Sequence, residues 1–165
     1  SATDAPGEKT VIDLLPDELR RRSLFPCGRL DKNTTGFLLL TNDGIRSHRL
    51  LSPQHHVEKT YRFTCKFPLR EEECRLLELG VTLEDGYVTK PCCITLVHER
   101  EGTIALTEGK YHQIKRMFEA VHNQIRSLKR ISFASIPLDP ALAPGEWRHL
   151  TERELNTLKA AAGMV

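Results

Sequence analysis

The strongest constraint on this chain is a junction: the loop Cys27-Gly-Arg-Leu-Asp-Lys-Asn-Thr-Thr-Gly36 runs directly into Phe37-Leu-Leu-Leu-Thr41. Apolar side chains that follow one another without alternation, over a stretch of strand length, need cover on both faces. The run therefore reads as a buried strand, and the loop ahead of it is flanked by rigid structure. A chain of 165 residues is about one domain at roughly 150 residues per domain. It can bury such a strand without disulfide or metal staples.

Composition removes several classes. With 39% hydrophobic and 28% charged residues, the chain reads as a soluble globular protein, because nothing approaches the roughly 18 consecutive apolar residues of a membrane span. Residues 1–9 are small and polar and lack the basic and then apolar order of a secretion signal, so the expectation is a cytoplasmic protein. Cys27, Cys65, Cys74, Cys92 and Cys93 are odd in number and form no C-x-x-C pair, which fits reduced, packed thiols. The histidines form neither H-x-x-x-H nor H-E-x-x-H, so no metal is expected, and the phosphate-loop, dinucleotide and G-x-S-x-G motifs are missing.

Local patterns divide the chain into short elements. Thr10 caps a helix starting at Val11, and a second helical run follows Pro16 to Arg22. Residues 24–26 are extended, and Asp43 caps a helix that ends near Leu51, before Ser52-Pro53. Residues 57–66 read as a strand, with Lys59, Tyr61 and Phe63 on one face and Thr60, Arg62 and Thr64 on the other. Residues 70–79 form an amphipathic helix closed by Gly80, and short strands are expected at 81–83, 92–98 and 103–107. Residues 111–121 are helical, with Ile114, Met117, Phe118 and Val121 on one stripe. Residues 125–135 are extended, and Thr151-Glu-Arg-Glu154 opens a last helix with a capping box. The pattern is α+β, with a mixed, mostly antiparallel sheet.

A net charge of +2 says little, but its distribution is uneven. Residues 110–130 hold six bases against Glu119, and residues 20–32 hold five against Asp31. Residues 70–85 hold six acids against Arg70 and Arg75. If the basic stretches share a face, the protein has a cationic side and an acidic back.

Two stretches carry chemistry. In Gly28-Arg-Leu-Asp31 a carboxylate near a cation stays ionised and suits a nucleophile or base, although turn aspartates of purely structural use share that pattern. Gly109-Lys-Tyr-His-Gln-Ile-Lys-Arg-Met-Phe118 gathers donors and aromatic rings at a helix start, where backbone N–H groups favour phosphate. Met117 and Phe118 fall on the apolar stripe and belong to the core.

These two stretches, with Leu-Leu-Leu-Thr-Asn-Asp-Gly44, Glu58-Lys-Thr-Tyr61 and Leu142-Ala-Pro-Gly-Glu-Trp-Arg-His-Leu-Thr151, resemble in order the RsuA family of pseudouridine synthases. Ser52-Pro-Gln-His-His56 and Thr89-Lys-Pro91 look most like the branch acting on small-subunit (16S) rRNA. The resemblance implies an isomerase in which the N1–C1′ bond of a uridine breaks, the base rotates and a C5–C1′ bond replaces it, with no cofactor or metal. The fold it implies is a mixed sheet with flanking helices around a central active-site cleft.

The resemblance makes Asp31 the essential residue, acting on the sugar, on the ring, or in a glycal-forming step. Tyr61 falls at the active-site tyrosine that stacks on the extruded uracil. Lys115 falls at the basic residue that pairs with the aspartate. Arg29, Lys32, Thr34, Thr35, Lys110, His112, Gln113 and Arg116 are the expected RNA contacts, made by a monomer to free rRNA or to a small-subunit assembly intermediate. Relatives carry an N-terminal S4-like domain and a first strand ahead of this region, so residues 1–165 are expected to be the catalytic domain alone. The alternatives are the same chemistry on 23S rRNA or tRNA, or a non-catalytic RNA-binding or ribosome-assembly module.

Overall fold

The computed structural model describes residues 9–163, so the polar opening stretch lies outside the described residues except for Lys9. A 3-10 turn (Val11–Leu14), a single-turn helix α1 (Asp17–Arg20) and β1 (Phe25–Pro26) lead into the Asp31 loop. There follow β2 (Thr35–Gly36), β3 (Leu40–Thr41), α2 (Gly44–Leu51), β4 (Lys59–Cys65), α3 (Glu71–Leu79), β5 (Cys93–His98) and β6 (Glu101–Leu106). The last elements are α4 (Gln113–Ala120), β7 (Ile125–Phe133), β8 (Ile136–Pro137) and α5 (Glu152–Ala161). The main sheet runs β2-β7-β4-β6-β5, with β8 also on β7, and β1 pairs with β3 in a separate ribbon. Only β2 against β7 is parallel, so the α+β, mostly antiparallel expectation holds.

The unbroken apolar run is not one strand. β2 ends on β7 at Gly36, the chain crosses over, and β3 pairs with β1 in the ribbon. The Phe37 N–H donates to the Arg130 carbonyl at 2.8 Å, and Leu39 accepts from the Cys27 N–H at 2.7 Å. Phe37 and Leu39 are buried while Leu38 and Leu40 are only half-buried, so the run is covered on one side rather than two. Its apolar content serves a crossover, in which Phe37 stacks on Phe133 with ring centroids 6.2 Å apart.

Elsewhere local signals and structure agree. The Asp43 side chain accepts from the Arg46 N–H at 2.9 Å and starts α2, and Thr151 and Glu154 form the capping box of α5. Ile114, Met117, Phe118 and Val121 of the α4 stripe are buried. Phe118 meets Phe63 of β4 edge-on at 4.9 Å, and each fully buried aromatic of this kind contributes roughly 1.5–3 kcal/mol. One core lies where α3 and α4 cover the sheet; the other gathers the Asp31 loop, α2 and α5. Cys27, Cys65 and Cys74 are buried free thiols, Cys92 is half-buried and Cys93 is exposed. No described helix is long and apolar enough to cross a membrane.

Candidate active site

Asp31 sits in a turn closed by the Thr34 N–H, which donates to the Asp31 carbonyl at 2.9 Å. The turn is fixed because its downstream end becomes β2, with Gly36 opposite Arg130. The Asp31 carboxylate is 30% exposed, and the group that reaches it is His112, with Nε2 3.7 Å from Oδ1. His112 precedes α4 in a left-handed conformation, φ 47°, which a residue with a β-carbon adopts at an energetic cost and which recurs at functional sites.

Tyr61 stands opposite Arg130 in the β4–β7 ladder, next to a bulge between Thr60 and Tyr61. Arg130 is 2% exposed. Its Nε donates to the Phe37 carbonyl at 2.8 Å, its Nη1 lies 3.4 Å from the Tyr61 hydroxyl, and its Nη2 is buried without a partner. A buried guanidinium nitrogen without an acceptor is energetically costly. Thr34 Oγ1 is likewise buried and unpartnered.

Lys59, two residues before Tyr61, is also buried. Burial pushes its ammonium below the usual lysine range, and repulsion from Arg130 adds to that, against the opposing pull of Cys27 and Glu108. A β-carbon on Gly109 would lie 3.4 Å from Lys59 Nζ. The segment 109–112 thus passes over Lys59 at one end and meets Asp31 at the other. Glu108 anchors it, accepting from the Lys90 N–H at 2.7 Å, from Gln113 Nε2 at 2.9 Å and from the Tyr87 hydroxyl.

Several expected contacts are used differently. Lys115 is half-buried and, among the described residues, makes no ion pair with Asp31; His112, one helical turn earlier, occupies that place. Gln113 is buried, bonding Glu108 and accepting from the Lys110 N–H at 2.9 Å, so it holds the loop instead of facing solvent. Arg116 is clasped by Glu84 at 2.7 Å and Asp85 at 2.6 Å and donates to the Tyr111 carbonyl at 2.8 Å. The basic and acidic stretches therefore meet at this clasp, and the picture of a cationic side with a separate acidic back fails there. Thr34 is buried; Arg29, Lys32, Thr35 and Lys110 are exposed around the Asp31 turn and the α4 approach.

In the sequence Arg130 is one of the six bases of residues 110–130, with no sign of burial in composition or charge. The signal available was its register: alternation places it on the side of Leu128, an apolar position in β7. Lys59 carried the same signal, sharing a face with Phe63.

The site thus joins a half-exposed carboxylate, a histidine on its edge, a phenol, and two buried cations at one end of the central strands. Among the described residues no group of His, Cys, Asp and Glu side chains is placed to share a metal ion. The model of the RNA pseudouridylate synthase family matches residues 3–120. A Bacillus subtilis protein described as an uncharacterized RNA pseudouridine synthase is 51% identical, over 96% of this chain and 68% of its own length. The ribosomal small subunit pseudouridine synthase A of Escherichia coli is 43% identical, over 93% of this chain and 67% of its own length. A crystal structure of a pseudouridylate synthase superposes with a TM-score of 0.87 at 38% identity, covering 90% of this chain and 65% of that one. The chain spans about two thirds of the length of these relatives. With the Asp31 loop and both of its supporting strands in place, and the family match running through β4 and α4, the chain belongs to the RNA pseudouridylate synthase family.

Proposed function

We propose that this chain isomerises a uridine of small-subunit (16S) rRNA to pseudouridine, with Asp31 as the essential carboxylate. The observation that carries the reading is the placement of Asp31 on a loop whose downstream end is locked to β7 at Gly36, opposite the Arg130 that meets Tyr61. The small-subunit assignment rests on likeness to the E. coli relative.

In this reading the uridine leaves its stack, which costs a few kcal/mol, and lies between Asp31 and the Tyr61 ring. His112 lies at the edge of the carboxylate, with Nε2 3.7 Å from Oδ1, and orients it toward the uridine. Arg130 Nη2 supplies a donor to charge that develops as the N1–C1′ bond breaks, and the tyrosine ring holds the freed base while it turns. When C5 bonds to C1′, the C5 hydrogen leaves as a proton to water and N1 takes up a proton, so the reaction balances without a cofactor. In this reading the protein acts as a monomer, and the substrate implies a cytoplasmic location. Arg29, Lys32, Thr35 and Lys110 meet phosphates, with affinity that falls as salt rises.

The test is tritium release from 16S rRNA transcribed with [5-³H]uridine. Wild-type protein releases tritium; Asp31→Asn releases none while still binding the RNA. Full release by Asp31→Asn removes the carboxylate from the chemistry, and salt-sensitive binding without release by the wild type indicates a binding module.

A further inference from the structure

We infer that Tyr111 is a stacking platform for the base next to the target uridine, and so selects the RNA that reaches Asp31; the inference rests on the function proposed above. Tyr111 is 76% exposed, an unusual position for so large a ring. It is nevertheless held in place from two directions. Its ring lies parallel to that of His112, with centroids 3.9 Å apart and planes 18° from coplanar. Its carbonyl accepts from Arg116 Nη1 at 2.8 Å, and Arg116 is itself fixed by Glu84 and Asp85.

The relation to Asp31 gives the stack its use. Because His112 meets Asp31 through Nε2, the carboxylate lies at the edge of the two-ring stack and leaves the outer face of Tyr111 open. A nucleotide flipped toward Asp31 stays joined to its neighbour through one phosphate, which keeps the neighbour's base within reach of Tyr111. The spacing of the two rings is close to that of stacked bases, so the neighbour's base continues the pile on Tyr111 as a third layer. Lys110 is exposed and adjacent in sequence; its Nζ, 4.9 Å from the centre of the Tyr87 ring, exchanges that weak contact for the phosphate between the two nucleotides. Stacking of this kind accepts any base, since each has a π-face, and folded RNA is read mainly at such splayed bases.

The test is a cycle between protein and RNA. A 16S rRNA stem-loop containing the uridine modified by the wild type is made in three forms: intact, and with an abasic site immediately 5′ or 3′ of the target. Tritium release is measured for wild type, Tyr111→Ala and Tyr111→Phe. Tyr111→Ala raises KM for intact RNA about 5- to 150-fold, with kcat changed less than about threefold, and Tyr111→Phe restores KM to within about twofold. One abasic RNA costs the wild type a similar factor in KM and costs Tyr111→Ala nothing more. If abasic penalties are equal in both proteins, or if Tyr111→Ala lowers kcat alone, the platform is overturned and Tyr111 acts only through His112. A wild type that modifies no uridine in 16S rRNA overturns the proposed function, and the platform with it.

Discussion

Gly36 and Arg130 face each other across the one parallel pairing of the main sheet so closely that a β-carbon on Gly36 would stand 2.1 Å from the Arg130 carbonyl oxygen. Gly36 also has φ +107°, which L side chains rarely adopt. Two independent requirements thus fall on one position, which sets how far the Asp31 loop stands from the residue carrying the buried guanidinium. Gly36→Ala must push β2 off β7. We expect a loss of roughly 2–4 kcal/mol, read as a fall of about 5–15 °C in Tm, with kcat falling further than stability accounts for when both are measured well below the transition.

Arg130 is the second point of leverage. Its Nη2 is buried with nothing to bond, while Nε holds the Phe37 carbonyl. Arg130→Met keeps most of the volume and removes a buried charge but leaves the Phe37 carbonyl without its donor, so the fold survives at a cost of about 1–3 kcal/mol. Turnover is expected to fall about 10²–10³-fold, the loss typical of one donor aimed at developing charge. A variant retaining a tenth or more of wild-type kcat in the tritium assay would show that Arg130 serves only to support the Phe37 crossover.

What the sequence disclosed and what it hid divide along physical lines. Caps at Asp43 and Thr151 and the α4 stripe were legible because each is decided within a few residues by local hydrogen bonds or by helical period. Asp31 and Tyr61 were placed by resemblance, and the alternation of β4 put Tyr61 on the face of Lys59 and Phe63, where it packs against the core and meets Arg130. The break in the run at residues 37–41 was hidden, because it depends on which strand Gly36 and Leu40 meet, partners 94 positions ahead and 14 behind. The clasp on Arg116 is hidden for the same reason: nothing local in a basic stretch shows that the fold brings Glu84 and Asp85 to it.

The C-terminal helix gives an acid-sensitive element away from the site. Arg148 grips Glu154 through both oxygens, at 2.7 and 2.9 Å, and also reaches Asp139 at 2.9 Å. Arg148 and the Thr151 backbone hold the Glu154 carboxyl well below its ordinary 4.5, at about 2. A depressed carboxyl stabilises the fold above the unfolded value and loses that contribution as pH falls through the folded one. Urea midpoints of the wild type should therefore drop between about pH 5 and pH 2 more steeply than those of Glu154→Gln. Parallel curves would mean that the pair contributes nothing to folding.

Lys59 sets function against stability. It is buried beside Arg130, its ammonium is pushed down by burial and by that neighbour, and no carboxylate among the described residues lies within ion-pair distance. A lysine whose folded value is lowered binds its proton less well than in the unfolded chain, so stability rises as pH climbs through the folded value toward 10.5. Lys59→Met preserves length and apolar packing and removes the charge. The variant is expected to gain about 1 kcal/mol or more near pH 7 and to lose the extra alkaline rise, as read from urea midpoints at pH 7 and pH 9.5. Turnover should fall in the same protein, since one of the two cations beneath the reacting base is gone. A variant that is both more stable and fully active would assign Lys59 to packing alone, leaving Arg130 as the cation on which the chemistry rests.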